Sequence, residues 1–343
     1  METMSADLES VHQIVERLHG EPPRELQLDI KPMRGGLEAL SVLQVRAKFL
    51  NARGRRRTST MVIKRLDGAL AREASVYQRL VAEHAWGIAP QLLAVDHQRD
   101  SRSLLYLEWV QRISTWPWRD PATAEELVRR LARFHLTTST ANIATLLPSW
   151  DYESELKRSS ETTLDLLARC RRDADLEPLS AHLSSARRLT LALPALRREL
   201  LAFAPFGHVA IHGDVHPGNV LVRRRAGRSE PILIDWGRAR GGSPLEDLSG
   251  WLQSLGYWEP QARRRHDTLL GAYLSARGME RRLSSDLRAA YWLAGASNAL
   301  SGALEYHLTR LMAEGPAAAR RRAAAQSARD WLRVIRRAAA CWR

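Results

Sequence analysis

The stretch from His208 to Arg240, HVAIHGDVHPGNVLVRRRAGRSEPILIDWGRAR, constrains this chain more than any other. Its centre is a loop-forming cluster, His212-Gly213-Asp214-Val215-His216-Pro217-Gly218-Asn219. An apolar run follows from Val220 to Val222, then a basic turn around Ala226-Gly227-Arg228, then a second apolar run from Ile232 to Ile234. This predicts loop, strand, turn and strand, with one carboxylate at the front and Asp235 at the far end. Such a hairpin is expected to bring Asp235 back towards Asp214 and Asn219. Two carboxylates and an amide can hold Mg²⁺ and a hydroxyl together, as phosphoryl transfer requires. No HExxH or HxH…D spacing supports a metal hydrolase instead.

HGDVHPGN followed by ILIDWG resembles the aminoglycoside phosphotransferase and choline kinase superfamily, relatives of the eukaryotic-type protein kinases. The resemblance implies that Asp214 is the catalytic-loop aspartate, orienting the acceptor hydroxyl and taking its proton. It makes Asn219 and Asp235 the Mg²⁺ ligands and His212 a brace for the loop. His216 stands where protein kinases carry a phosphate-contacting lysine. Downstream, Asp247 in LEDLSGW resembles the aspartate that buttresses the catalytic loop through its backbone.

Upstream, Gly35-Gly36 followed by strand-like stretches from Ser41 to Phe49 and from Thr58 to Lys64 resembles a glycine-rich lid, where backbone amides approach phosphates. Lys64 ends a Met-Val-Ile run, as the phosphate-binding lysine of a kinase's third strand does. The resemblance pairs it with Glu73, which sits in the helical pattern AREASVYQRLVAEH. Two further apolar runs, Pro90 to Val95 and Leu104 to Trp109, read as strands around the polar turn DHQRDSR. Leu107-Glu108-Trp109-Val110 resembles the hinge between two lobes, with the Glu108 carbonyl and Val110 amide on adenine.

Beyond the hinge the pattern turns helical. Asp120-Pro121 caps a helix through TAEELVRRLARFHLTT, with Leu127, Leu131, Phe134 and His135 on one face and His135 read as a packed structural histidine. From Asp151 to Ser180 eight acidic residues face five basic ones, a local −3. In the family, helical insertions here commonly wall the acceptor pocket. Some of Asp151, Glu153 and Glu155 are therefore expected to hold an amine on the acceptor. A helix from Ser184 to Phe203 follows, and from Gln261 onward the chain reads as a helical bundle with a break at Gly315-Pro316.

Composition limits the remaining possibilities. The net charge of +14 suggests nucleic acid, yet only four of the 52 basic residues are lysine (Lys31, Lys48, Lys64, Lys157), and the arginines are spread along the chain. That spread argues against nucleic acid as a partner. No apolar run reaches the roughly 18 residues of a membrane span, and the acidic N-terminus reads as an amphipathic helix. Cys170 and Cys341 match no metal spacing, so a reducing cytoplasm is the expected location.

The expected fold is α+β and bilobal, protein-kinase-like: a small antiparallel β lobe at residues 1–109 and a larger, mainly helical lobe at 110–343. The expected activity moves the γ-phosphate of ATP or GTP, with Mg²⁺, to a hydroxyl of a small-molecule acceptor such as an antibiotic or metabolite. No obligatory protein partner is expected. The alternatives are a kinase of peptide Ser/Thr hydroxyls and a nucleotide-binding scaffold without catalysis.

Overall fold

The computed structural model describes residues 2–33, 40–98, 102–280, 284–313 and 318–341. Gly35, Gly36 and the Gly315-Pro316 break lie outside them. The fold is α+β and protein-kinase-like, with an antiparallel five-stranded sheet towards the N-terminus and a mostly helical C-terminal region. The chain divides into two compact units. Met1–Arg112, Thr145–Pro148 and Ile232–Arg238 form the first; Ile113–Ala144, Ser149–Pro231 and Ala239–Arg343 form the second.

In the first unit, helix α1 (Glu2–His19) precedes strands β1 (Arg24–Met33), β2 (Ser41–Leu50) and β3 (Arg56–Asp67). Helix α2 (Arg72–Val76) continues through a π turn, Tyr77–Val81, and a last turn, Ala82–His84. Strands β4 (Leu92–His97) and β5 (Arg102–Glu108) complete the sheet, in the order β1-β2-β3-β5-β4. Alternation puts Val45, Ala47, Phe49, Met61 and Ile63 on one face, where Val11, Ile14 and Val15 of α1 cover them. Burying three aliphatic side chains from one helix contributes roughly 1.5–3 kcal/mol each, enough to hold α1 on the sheet. Arg17 reinforces the contact by donating to the Leu93 carbonyl.

Strand β1 was not anticipated: the first sheet strand was expected after Gly36. Its signal is the alternation of Leu26, Leu28 and Ile30 with polar residues, paired antiparallel with β2 (Leu28 opposite Ala47, Ile30 opposite Val45).

The second unit is a helical assembly. Its principal helices are α3 (Pro121–Thr137), α4 (Tyr152–Arg169), α5 (Leu183–Ala202), α6 (Pro244–Trp258), α7 (His266–Ala276), α8 (Ser285–Asn298), α9 (Leu304–Met312) and α10 (Ala318–Cys341). Asp120 caps α3, accepting from the amides of Ala122 and Thr123, with Pro121 at the first turn. Trp118 and Trp251, both buried, meet edge to face at 4.9 Å. Trp331, Leu332, Val334 and Ile335 of α10 are buried, and α10 packs on α5, α6, α8 and α9. The basic C-terminal end is therefore a packed helix. No helix among the described residues is long and apolar enough to cross a membrane.

Four short strands carry the central stretch: β6 (Val209–Ile211), β7 (Val220–Arg225), β8 (Arg228–Leu233) and β9 (Arg240–Gly242). β6 pairs with β9, and β7 with β8. Ala226 (φ 47°) and Gly227 (φ 76°) make the β7–β8 turn; two successive positive φ values suit the twist of a two-residue hairpin and favour glycine there.

Candidate active site

In the first unit, strand periodicity decides which way Lys64 points. Met61 and Ile63 face α1, so Val62 and Lys64 face the opposite side of the sheet. There the Lys64 ammonium meets both oxygens of Glu73, at 2.8 and 2.6 Å, and Asp235 Oδ1 at 2.6 Å. Burial alone would lower the Lys64 pKa, but the two carboxylates outweigh it and hold the ammonium above its ordinary value. Burial pushes the Glu73 carboxyl up; Lys64 and the Trp236 amide, donating to Glu73 Oε1 at 3.1 Å, pull against it. Asp235 falls in this unit, not in the C-terminal lobe where it was expected, and adopts φ 61°, a left-handed conformation that aspartate tolerates better than most residues. Glu108 ends β5, where its amide donates to the Gln91 carbonyl and its carboxylate accepts from the Gln91 amide. Val110 is buried.

In the second unit, the loop between β6 and β7 is pinned from several directions. Asp247, fully buried on the first turn of α6, accepts the backbone amides of His212 (2.7 Å) and Gly213 (2.8 Å). His135 Nε2 also reaches Asp247, at 3.1 Å, while His135 Nδ1 lies 2.8 Å from the Tyr273 hydroxyl. A carboxylate can only accept, so this network makes Nε2 the protonated nitrogen and Nδ1 the acceptor from tyrosine. Burial would raise the Asp247 pKa, but His135 and the loop donors hold it below the ordinary carboxylate range. Burial lowers the His135 pKa, consistent with a neutral ring. His135 is thus packed and structural, as expected, but it is also part of the loop's support. Arg240 adds a donor that the sequence did not reveal: it is buried on β9 and its Nη1 reaches the Gly213 carbonyl at 3.0 Å. In the sequence it is one arginine among many, five residues beyond Asp235.

Within the loop, the His212 ring accepts from the Asp214 amide at 3.2 Å. The Asn219 side-chain nitrogen donates to both the Asp214 carbonyl (3.1 Å) and Oδ2 (3.0 Å). His216 Nδ1 accepts from the Gly218 amide at 3.0 Å, and its Nε2 lies 3.6 Å from Asp214 Oδ2. A Cβ on Gly218 would lie 2.7 Å from His216 Cε1, so only glycine lets this ring close over the turn.

The three acidic residues at the start of the acidic segment each have a separate contact. Asp151 caps α4 through the Ser154 amide, Glu155 accepts from the Trp150 indole at 3.1 Å, and Glu153 faces Arg198 at 3.6 Å. Each carboxylate has its own local partner. Glu153 also lines a groove of about 550 Å³ with Leu156, Lys157, Arg187 and Leu191.

Lys64, Glu73 and Asp235 therefore come together in one unit; His212, Asp214, His216, Asn219 and Asp247 come together in the other. The chain matches the phosphotransferase enzyme family over residues 41–284. It belongs to that family. A search of the curated proteins gives no match. Among solved structures, amicoumacin kinase in complex with AMP-PNP and Ca²⁺ is similar at a TM-score of 0.56 and 14% identity, over 94% of this chain and 93% of the other. A choline/ethanolamine kinase family protein from Mesorhizobium loti matches at 0.54 and 15%, over 98% of both chains. An aminoglycoside phosphotransferase from Alicyclobacillus acidocaldarius matches at 0.53 and 15%, over 93% and 92%. At these identities the structural likeness establishes the fold, and the family match establishes the phosphotransferase class.

Proposed function

We propose that this phosphotransferase moves the γ-phosphate of ATP or GTP to a hydroxyl of a small molecule, with Mg²⁺. The observation that carries the reading is the double hold of Asn219 on Asp214, inside a loop whose amides Asp247 fixes. Phosphoryl transfer needs little covalent help from the protein, so rigid placement of a carboxylate is the useful contribution.

In this reading Asp214 accepts the proton of the acceptor hydroxyl. Lys64, steadied by Glu73, meets the α- and β-phosphates, and His216 contacts phosphate from its own loop. Gly35 and Gly36 cover the phosphates through their amides, while the Glu108 carbonyl and Val110 amide receive the base. His212 and Asp247 act on the loop and not on substrate. Asn219 and Asp235 are the proposed Mg²⁺ ligands. Both offer oxygen, the donor Mg²⁺ prefers, and Mg²⁺ is commonly held by one or two side chains together with phosphates and water. The metal would neutralise charge on the transferring phosphate.

An amine on the acceptor would be held by some of Asp151, Glu153 and Glu155, of which Glu153 lines the groove beside α4. Two free cysteines, one buried and one exposed, suit a reducing cytoplasm. A Mg²⁺-ATP phosphotransfer screen across aminoglycosides, macrolides, amino alcohols and hydroxylated peptides tests the proposal. Metal-dependent phosphorylation of a small molecule supports it. Transfer to peptides alone would favour a protein kinase, and nucleotide binding without any transfer would favour a scaffold.

A further inference from the structure

Two tryptophans beside the proposed catalytic loop are left in solvent. Trp116 is 41% exposed and Trp258, at the end of α6, is 43% exposed. Their rings lie 6.2 Å apart at 33°, a tilted stack that presents a continuous aromatic surface. The Trp258 ring is 3.7 Å from where a Cβ on Gly218 would stand, so this surface borders the turn formed by His216, Pro217 and Gly218.

The position is built. Trp116 Nε1 donates to Glu259 Oε2 at 3.2 Å, and Glu259 itself is buried to 9% exposure. Tyr257 meets Trp258 edge to face at 5.6 Å and rests on the buried His307 ring at 4.9 Å. One exposed aromatic is common on a surface; two, braced from behind and flanking a phosphoryl-transfer loop, form a recognition surface.

The surrounding charge narrows what fits. Arg119 lies 3.8 Å from Glu259, and Arg265 donates to the Arg119 carbonyl. The carboxylate beside Trp116 is thus already paired, by Trp116 and Arg119, and the two neighbouring arginines disfavour a cation on that indole. A flat, uncharged ring gains the stacking without that penalty.

Resting on the phosphotransferase reading above, we propose that Trp116 and Trp258 are specificity-determining residues for the acceptor: its hydroxyl is carried on a scaffold with an uncharged aromatic or otherwise unsaturated ring, which stacks on these indoles while the hydroxyl meets Asp214.

Phenyl β-glucoside and methyl β-glucoside are matched probes, with the same hydroxyls and differing in one flat ring. Their binding to the full chain is followed by saturation-transfer NMR in the presence of saturating AMP-PNP and Mg²⁺. The phenyl protons are expected to receive saturation, with phenyl glucoside bound about tenfold more tightly than methyl glucoside, roughly the worth of one aromatic stack. Trp258→Leu and Trp116→Leu should each remove most of that preference, and Trp258→Phe should restore it. Circular dichroism confirms that each variant is folded. Equal binding of the two probes, or an undiminished preference in both leucine variants, overturns the proposal. Nucleotide affinity, measured separately on the wild-type chain, distinguishes the two readings: failure to bind Mg²⁺-ATP counts against the phosphotransferase reading, and absence of any ring preference in a wild-type chain that binds nucleotide counts against the platform alone.

Discussion

The Lys64 ammonium lies 2.6 Å from Asp235 Oδ1, although the two residues are far apart in sequence. The same ammonium is bonded to Glu73, and the Lys64 and Glu73 side chains are only 6% and 1% exposed. One cation thus serves two carboxylates, and removing it leaves both without their counter-charge.

Lys64→Met is therefore expected to affect stability as well as nucleotide binding. Breaking a buried ion pair by deleting one partner typically costs about 3–5 kcal/mol. Denaturant unfolding should show a loss in that range, with ATP affinity falling in parallel. Unchanged stability would mean that Glu73 readily takes up a proton once Lys64 is gone.

Asp247 offers a different kind of test. Asp247→Ala removes the acceptor of two loop amides and of His135, leaving buried donors unsatisfied at about 1–3 kcal/mol each. Thermal unfolding should shift down and kcat should fall, while the nucleotide Kd changes little, because Asp247 reaches the site only through the backbone. An equally large loss of nucleotide affinity would show that Asp247 has a direct role.

How much of this was legible in the chain depended on whether the signal was local. Asp120-Pro121 announces its helix because capping chemistry is contained in adjacent residues, and the hairpin from Val220 to Leu233 is announced by two apolar runs around Ala226-Gly227. The cluster from His212 to Asn219 makes several of its hydrogen bonds within eight residues, so a loop there was legible from adjacent residue types. Strand β1 was missed because its alternation is diluted by charge on an edge strand. Arg240 and the His135–Asp247 link are long-range pairings, which no periodicity records. In the acidic segment the sequence shows the excess of charge but not its local use: Asp151 caps a helix and Glu155 accepts from the Trp150 indole.

Stability should fall between pH 6.5 and 4 through His307. Burial, followed by the nearby Arg310, lowers its pKa from 6.5 to about 4. Between these values the unfolded chain binds a proton that the folded chain does not, so acid favours unfolding; the contribution is full above pH 6.5 and lost as pH falls towards 4. The total is about 3 kcal/mol. His307→Phe keeps a ring against Tyr257 and removes the titration, so its unfolding free energy should vary less across this window. An identical pH slope in the variant would discount His307.

Helix α10 should behave as core. Trp331→Ala deletes a side chain that is 3% exposed, and comparable truncations cost about 3–5 kcal/mol. A salt-sensitive affinity for duplex DNA that disappears with this helix would instead assign its arginines to nucleic acid.

The most direct test of the central claim is transfer of labelled γ-phosphate from Mg²⁺-ATP to a small-molecule hydroxyl, measured side by side for the wild-type chain and Asp214→Asn. The substitution preserves shape and removes the base, so turnover should drop by about 10²–10⁴ while ATP binding persists. Equal turnover by the two proteins, or no transfer to any small-molecule hydroxyl by the wild type, would contradict the account.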